Sequence, residues 1–152
     1  MMKGDLTKNL SRHEFACHCH YPECDRTPVD VDLPRVIQAC GDHFARSERL
    51  ANPMFDRVAI HINSGYRCLK HDRDIKGTDY DPSARPSEHL CGAAADHWME
   101  YVYSDWTRIK ISDDAIADFY ELEHSGRYGI GRYNGRTHID TARAHAARWD
   151  NR

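Results

Sequence analysis

From Asp32 to about Leu50 the apolar positions recur at helical spacing, with Leu33, Val36, Ile37, Cys40, Phe44 and Ala45 on one face. Asp32 is a candidate cap, Pro34 suits the first turn, and Arg46 and Arg49 near the end suit the helix dipole. The period then changes to two. Val58, Ile60 and Ile62 alternate along a strand that leads into Ser64-Gly65-Tyr66-Arg67, and His61 falls on the opposite face as a sheet residue. Leu69 to Ile75 reads as a short helix stopped by Lys76-Gly77, and the polar stretch 77–86 reads as a surface loop. His97 to Tyr103 has the aromatic and β-branched content of a strand. Ser112-Asp113-Asp114 opens a helix with Ile116, Phe119, Tyr120 and Leu122 as its apolar stripe, ending near His124-Ser125-Gly126. Asn134-Gly135 between two strand-like segments predicts a hairpin. Thr141 to Arg152 reads as a short terminal helix with Trp149 packing back on the domain. Near the start, Ser11 and Glu14 are spaced as a capping box for a short helix. Together these elements predict an α+β fold. A small antiparallel sheet carries helices mainly on one face, and the cleft lies on the other.

The 152 residues fit one domain, spanning 1–152 with a Cys/His-rich segment at about 11–30. A net charge of −3 supplies no basic excess, which argues against nucleic acid as a partner. No apolar run is long enough to span a bilayer, which argues against a membrane protein. Six cysteines form an even set, and composition leaves disulfides and reduced thiols both open. Cys17, Cys19 and Cys24 lie with His18 and His20 in eight residues, a candidate second, structural zinc site beside the disulfide and free-thiol alternatives.

The chemistry concentrates in Ser87-Glu88-His89-Leu90-Cys91-Gly92-Ala93-Ala94-Ala95-Asp96. His89 and Asp96 are both metal-ligand types, and both suit zinc. They are seven residues apart, so one straight strand would point them to opposite faces. On one helix they would be about 10.5 Å apart along the axis, too far for one ion. A turn followed by a strand solves this, with His89 in the turn and Asp96 on the strand. Gly92 frees the bend, and the alanines leave room beside a metal. His138 supplies a third ligand, and Asp140, two residues on, shares its strand face. Three protein ligands and an open fourth position are the coordination of a catalytic zinc. His97, next to Asp96, faces away from the metal on this reading.

The order Ser-x-His-x-x-Gly-x-Ala-x-Asp followed by a distant His138-Ile139-Asp140 resembles the zinc D,D-peptidase family. That family holds D-Ala-D-Ala carboxypeptidases, murein endopeptidases and phage endolysins. Ser64-Gly65-Tyr66-Arg67, Gly129-Ile130-Gly131-Arg132-Tyr133 and Leu10-Ser11-Arg12-His13-Glu14-Phe15 resemble other family segments in the expected order. The resemblance implies a zinc metallopeptidase that acts as a monomer on peptidoglycan stem peptides, with His89, Asp96 and His138 as ligands. Arg67 would bind a carboxylate or the oxyanion, with an ion pair to a core-edge acid as the alternative, and Ser87 would touch substrate, orient His89 or make a turn hydrogen bond. Asp140 is the candidate proton acceptor, with orienting a ligand or anchoring Arg67 as the alternative. Several relatives carry an acid three residues before the last histidine, where this chain has Gly135. That departure keeps a non-catalytic wall-binding or phage structural module as the competing reading. Met1-Met2-Lys3-Gly4-Asp5-Leu6 lacks the apolar core of a secretory signal. The expectation is therefore cytoplasmic synthesis and access to the wall after phage holin-type release.

Overall fold

The computed structural model describes residues 4–124, 126–142 and 146–152. The readings of Met1 to Lys3, of Ser125 and of the middle of the expected terminal helix lie outside the described residues.

A 3-10 turn at Arg12–Phe15 opens the fold, with the Glu14 carboxylate accepting the Ser11 N–H at 2.6 Å. Helix α1 spans Asp32–Ala51, and its Leu33, Val36, Ile37 and Cys40 are buried. Val31, not Asp32, is the capping residue; the Asp30 carboxylate accepts the Asp32 N–H at 3.0 Å and so satisfies one of the open donors of the first turn. The chain continues through β1 (Phe55–Ser64), α2 (Leu69–Lys76), β2 (Ala94–Tyr103), β3 (Arg108–Lys110), α3 (Asp113–His124), β4 (Gly129–Arg132), β5 (Thr137–Asp140) and β6 (Arg148–Asp150).

Among the described residues the sheet has six strands in the order β1-β2-β5-β4-β6, with β3 also pairing β2. This is the α+β arrangement that the sequence predicts. The β4–β5 hairpin forms around Asn134-Gly135, and Gly135 takes φ +91° in its turn. Two registers matter for the site: Ser64 lies opposite Asp96, and Asp96 lies opposite His138. Side chains alternate across the sheet. Ala95, Met99, Ile130 and Ile139 enter one core with α1 and α3 residues, which sends Asp96, His138 and Asp140 to the other face.

Three further expectations are corrected. The sheet is mixed, because β6 runs parallel to β4. Arg148–Asp150 is a strand where a helix is expected: Ile130 N–H donates to Ala147 and Asn151 N–H to Arg132, so the free edge of β4 recruits this segment. Trp149 still packs back, with its ring 4.8 Å from that of His138. Leu122 is 83% exposed instead of belonging to the apolar stripe of α3. It lies two residues beyond buried Tyr120, about 200° around the helix, so it points outward.

His97 faces the core, where its Nε2 lies 2.8 Å from the Tyr120 hydroxyl. Burial pushes its pKa down to about 4, with nearby Asp96 opposing and His138 adding to the shift. The unfolded imidazole takes up its proton near pH 6.5, and the folded one resists until about 4. Stability is therefore complete above pH 6.5 and falls as the pH drops through this window, by about 3 kcal/mol from this group. Urea unfolding at pH 7 and pH 4.5 is expected to show a smaller pH loss for His97→Gln than for the wild type.

Candidate metal centre

Each ligand is placed by a local device. The 3-10 turn Glu88–Cys91 holds His89, and Gly92 ends it at φ +73°. That left-handed step suits glycine, and a Cβ there would overlap the Pro28 carbonyl oxygen. The chain then enters β2, so Asp96 returns along the sheet beneath His89. His138 reaches the same place from β5 through its register with Asp96. Glycines on β4 keep this face open: a Cβ on Gly129 would meet the Asp140 carboxylate, and one on Gly131 would meet the Trp149 indole.

The three ligand atoms lie within 4.8 Å of one another. The Asp96 carboxylate is 2.8 Å from His138 Nδ1 and 3.8 Å from His89 Nε2. Nitrogen and oxygen donors on a tetrahedral zinc stand about 3.3–3.6 Å apart, so the group has the right scale. His89 Nδ1 is 2.6 Å from the Gly65 carbonyl oxygen. Donation of an Nδ1 proton to that carbonyl leaves the Nε2 lone pair for a metal.

The electrostatics favour a cation. Burial pushes the His89 pKa down to about 4, with Arg67 and His138 adding to the shift and Asp96 opposing it. Burial alone would raise the Asp96 carboxyl, but the His138 hydrogen bond and the charges of His138, His89 and Arg67 hold it at about 2. Burial would lower His138, yet hydrogen bonds to Asp140 and Asp96 raise it. Near neutral pH the site thus has a neutral His89, an ionised Asp96 and a His138 pulled toward positive charge. A metal would take over that positive role.

Arg67 is held in place on several sides. Its Nε donates to Ser64 Oγ at 3.1 Å, its Nη1 to buried Asp72 at 2.9 Å, and its Nη2 lies 3.7 Å from Asp96. Its backbone N–H donates to the His89 carbonyl, tying the Ser-Gly-Tyr-Arg segment to the ligand turn. Arg67 and Ser87 both line a cleft of about 590 Å³ whose floor includes His89, Asp96 and His138. Asp140 does not line it. It is fully buried, with its Oδ2 3.2 Å from His138 Nε2, the geometry of a carboxylate that orients a ligand from behind.

The cleft also gathers residues that the sequence reading did not single out for the site. Lys76, Arg85 and Arg136 make its rim cationic, and Arg136 lies 4.2 Å over the Tyr133 ring and 3.8 Å from Asp96. Trp149 forms a wall and donates its indole N–H to the Tyr133 hydroxyl at 2.7 Å. Glu88 is the other carboxylate besides Asp96 among the described lining residues. The hairpin signal at Asn134-Gly135 marked the neighbourhood of Tyr133 and Arg136. Asp72 carried no comparable signal, and Trp149 was expected on the domain but not beside this site, because tertiary packing alone brings both here.

Two imidazoles and a carboxylate at the floor of a cationic cleft form a donor set that could hold one metal ion. The family model for Peptidase M15 matches residues 8–140, and the chain belongs to that family of zinc metallopeptidases, as the resemblance implied. No curated protein and no solved structure matches the chain. Among the described residues no helix is long and apolar enough to cross a membrane.

Proposed function

We propose that this protein is a zinc peptidase that hydrolyses peptide bonds in the stem peptides of bacterial peptidoglycan, with endopeptidase action of the endolysin type. One observation carries the reading: His89, Asp96 and His138 converge beneath a cleft rimmed by Arg67, Lys76, Arg85 and Arg136. Stem peptides carry free carboxylates, and guanidinium groups recognise carboxylates in bidentate fashion. The reading includes a monomer that meets the wall in a phage lysis setting.

Zinc held by His89, Asp96 and His138 would supply Lewis acidity and a bound water made acidic enough to react near neutral pH. The remaining tasks fall to the chain. Arg67, braced by Asp72 and Ser64, presents a fixed guanidinium beside the ligands and stabilises negative charge that develops on the scissile carbonyl oxygen. Asp140 fixes the His138 ring through Nε2, leaving Nδ1 toward Asp96. Burial removes Asp140 from direct proton transfer, and Glu88 takes that task on this reading. Arg136 and Tyr133 bind the substrate backbone or its carboxylate at the cleft mouth. Glu88→Gln is expected to lower kcat about 10²–10⁴-fold with zinc content unchanged, measured by steady-state hydrolysis and metal analysis.

Gly135 supports a second reading, a metal-containing module that binds the wall without cutting it. It stands three residues before His138, where several relatives carry an acid, and its φ of +91° disfavours any other residue. Digestion of purified peptidoglycan by zinc-loaded protein, followed by mass spectrometry, decides between the two. New amine and carboxyl ends support the peptidase, and the fragment masses separate endopeptidase from carboxypeptidase action. Wall binding with no new ends would replace it with the module.

A further inference from the structure

A second group of metal-binding side chains lies outside the cleft and takes no part in the chemistry above. The Sγ atoms of Cys17, Cys19, Cys24 and Cys68 all lie within 4.8 Å of one another. The first three follow the opening 3-10 turn, and the fourth immediately precedes α2. His18 and His20, neighbours in sequence, are not members of the group.

We propose that these four thiols bind one structural zinc. Four sulfurs at about 2.3 Å from a tetrahedral zinc stand about 3.8 Å apart, and Cys68 and Cys19 are separated by 3.7 Å. All four cysteines are unbridged, and they gather as a foursome, whereas disulfides would draw them into two close pairs. Two neighbouring groups lie within donating distance of the Cys17 sulfur. The Cys68 backbone N–H donates to Cys17 Sγ at 3.4 Å, and His71 Nδ1 lies 3.2 Å from the same sulfur. Cys68 also occupies the cap position of α2, where the helix dipole favours negative charge. Sulfur-only tetrahedral donors select zinc over the oxygen-seeking ions. Binding deprotonates the four thiols, and the protons pass to solvent.

The place of the site gives it a task. Tyr66 N–H donates to the Phe15 carbonyl at 2.8 Å, just before Cys17, and Cys68 directly follows Arg67. A zinc here would staple the N-terminal segment to the start of α2, on either side of the arginine that lines the cleft. The segment 16–31 has no regular helix or strand of its own, so a zinc cross-link would add a tie that secondary structure does not supply.

The test is metal analysis of the full chain purified with zinc and reductant, together with cobalt substitution. Two zinc ions per chain are expected in the wild type, falling to one in Cys68→Ser and to one in His138→Ala. Cobalt in the wild type and in His138→Ala is expected to give the strong sulfur-to-metal charge-transfer absorption of a tetrathiolate site, and Cys68→Ser to lose it. If Cys68→Ser fails to fold, the wild-type spectrum decides alone. A wild-type chain whose only zinc is lost in His138→Ala and kept in Cys68→Ser, cobalt without the charge-transfer band, or iron at the thiolates would overturn the proposal. None of these readings depends on hydrolysis, so failure of the peptidase assay leaves them standing.

Discussion

Asp96→Asn is expected to abolish stoichiometric zinc at the cleft and to lower kcat/KM on peptidoglycan peptides by at least about a thousandfold. The substitution keeps the shape of the side chain and removes the one charge shared by all its neighbours. Asp96 lies within 4 Å of His89, His138, Arg67 and Arg136. An amide cannot neutralise a divalent cation, and its NH₂ group would compete with the metal for the imidazole nitrogens. A metal that acts as Lewis acid contributes several kcal/mol to the transition state, and each 1.36 kcal/mol is a factor of ten. Zinc analysis and hydrolysis are measured on the same sample, with thermal melting as the control for folding. Full zinc content in the variant would remove Asp96 from the ligand set, and full activity with one zinc fewer would remove that metal from the chemistry.

Gly92→Ala is the second large effect, and it acts on stability first. The left-handed conformation costs a non-glycine residue about 1–2 kcal/mol. The new methyl group would also strike the Pro28 carbonyl, which is backbone and has no rotamer to change. Overpacking of this kind adds about 1–3 kcal/mol. Gly92 is further pinned by its own carbonyl, which accepts the Asp30 N–H at 2.9 Å, and by its N–H, which donates to His89. The total of about 2–5 kcal/mol corresponds to a fall in Tm of about 4–20 °C for a domain of this size. Because the strain is released through the turn that carries His89, zinc affinity is expected to weaken as well. A Tm within a degree or two of the wild type would contradict this account of the turn.

Much of the site was legible in the sequence for a specific reason. The spacing from His89 to Asp96 excludes a lone helix and a lone strand, which leaves a turn followed by a strand, and glycine at position 92 says where the turn ends. Alternation along β5 then puts His138 and Asp140 on one face. What alternation cannot supply is depth. It placed Asp140 beside His138, but only packing shows that Asp140 sits behind the ring, sealed from the cleft by the close approach of β4. The same limit hid Asp72, which braces Arg67 from the next helix, and Cys68, whose sequence neighbours suggest a bend and not a metal ligand. The terminal strand was missed because its alanines and arginines suit a helix, and the edge of β4 that recruits it is a tertiary feature.

The sixth strand has a consequence for motion. β5 is buried throughout, whereas β6 is a three-residue edge strand with Arg148 and Asp150 exposed. Amides at such an edge open by local fraying, while those of a buried strand wait for larger unfolding. The ligands and the indole beside them therefore belong to regions of unequal stability. Local opening is therefore expected to reach the wall at Trp149 before it reaches the floor at His138. Hydrogen exchange is expected to label the Asn151 amide, which bonds to Arg132, well before the amides of His138 and Ile139. Equal protection at both places would mean that the wall is as permanent as the floor.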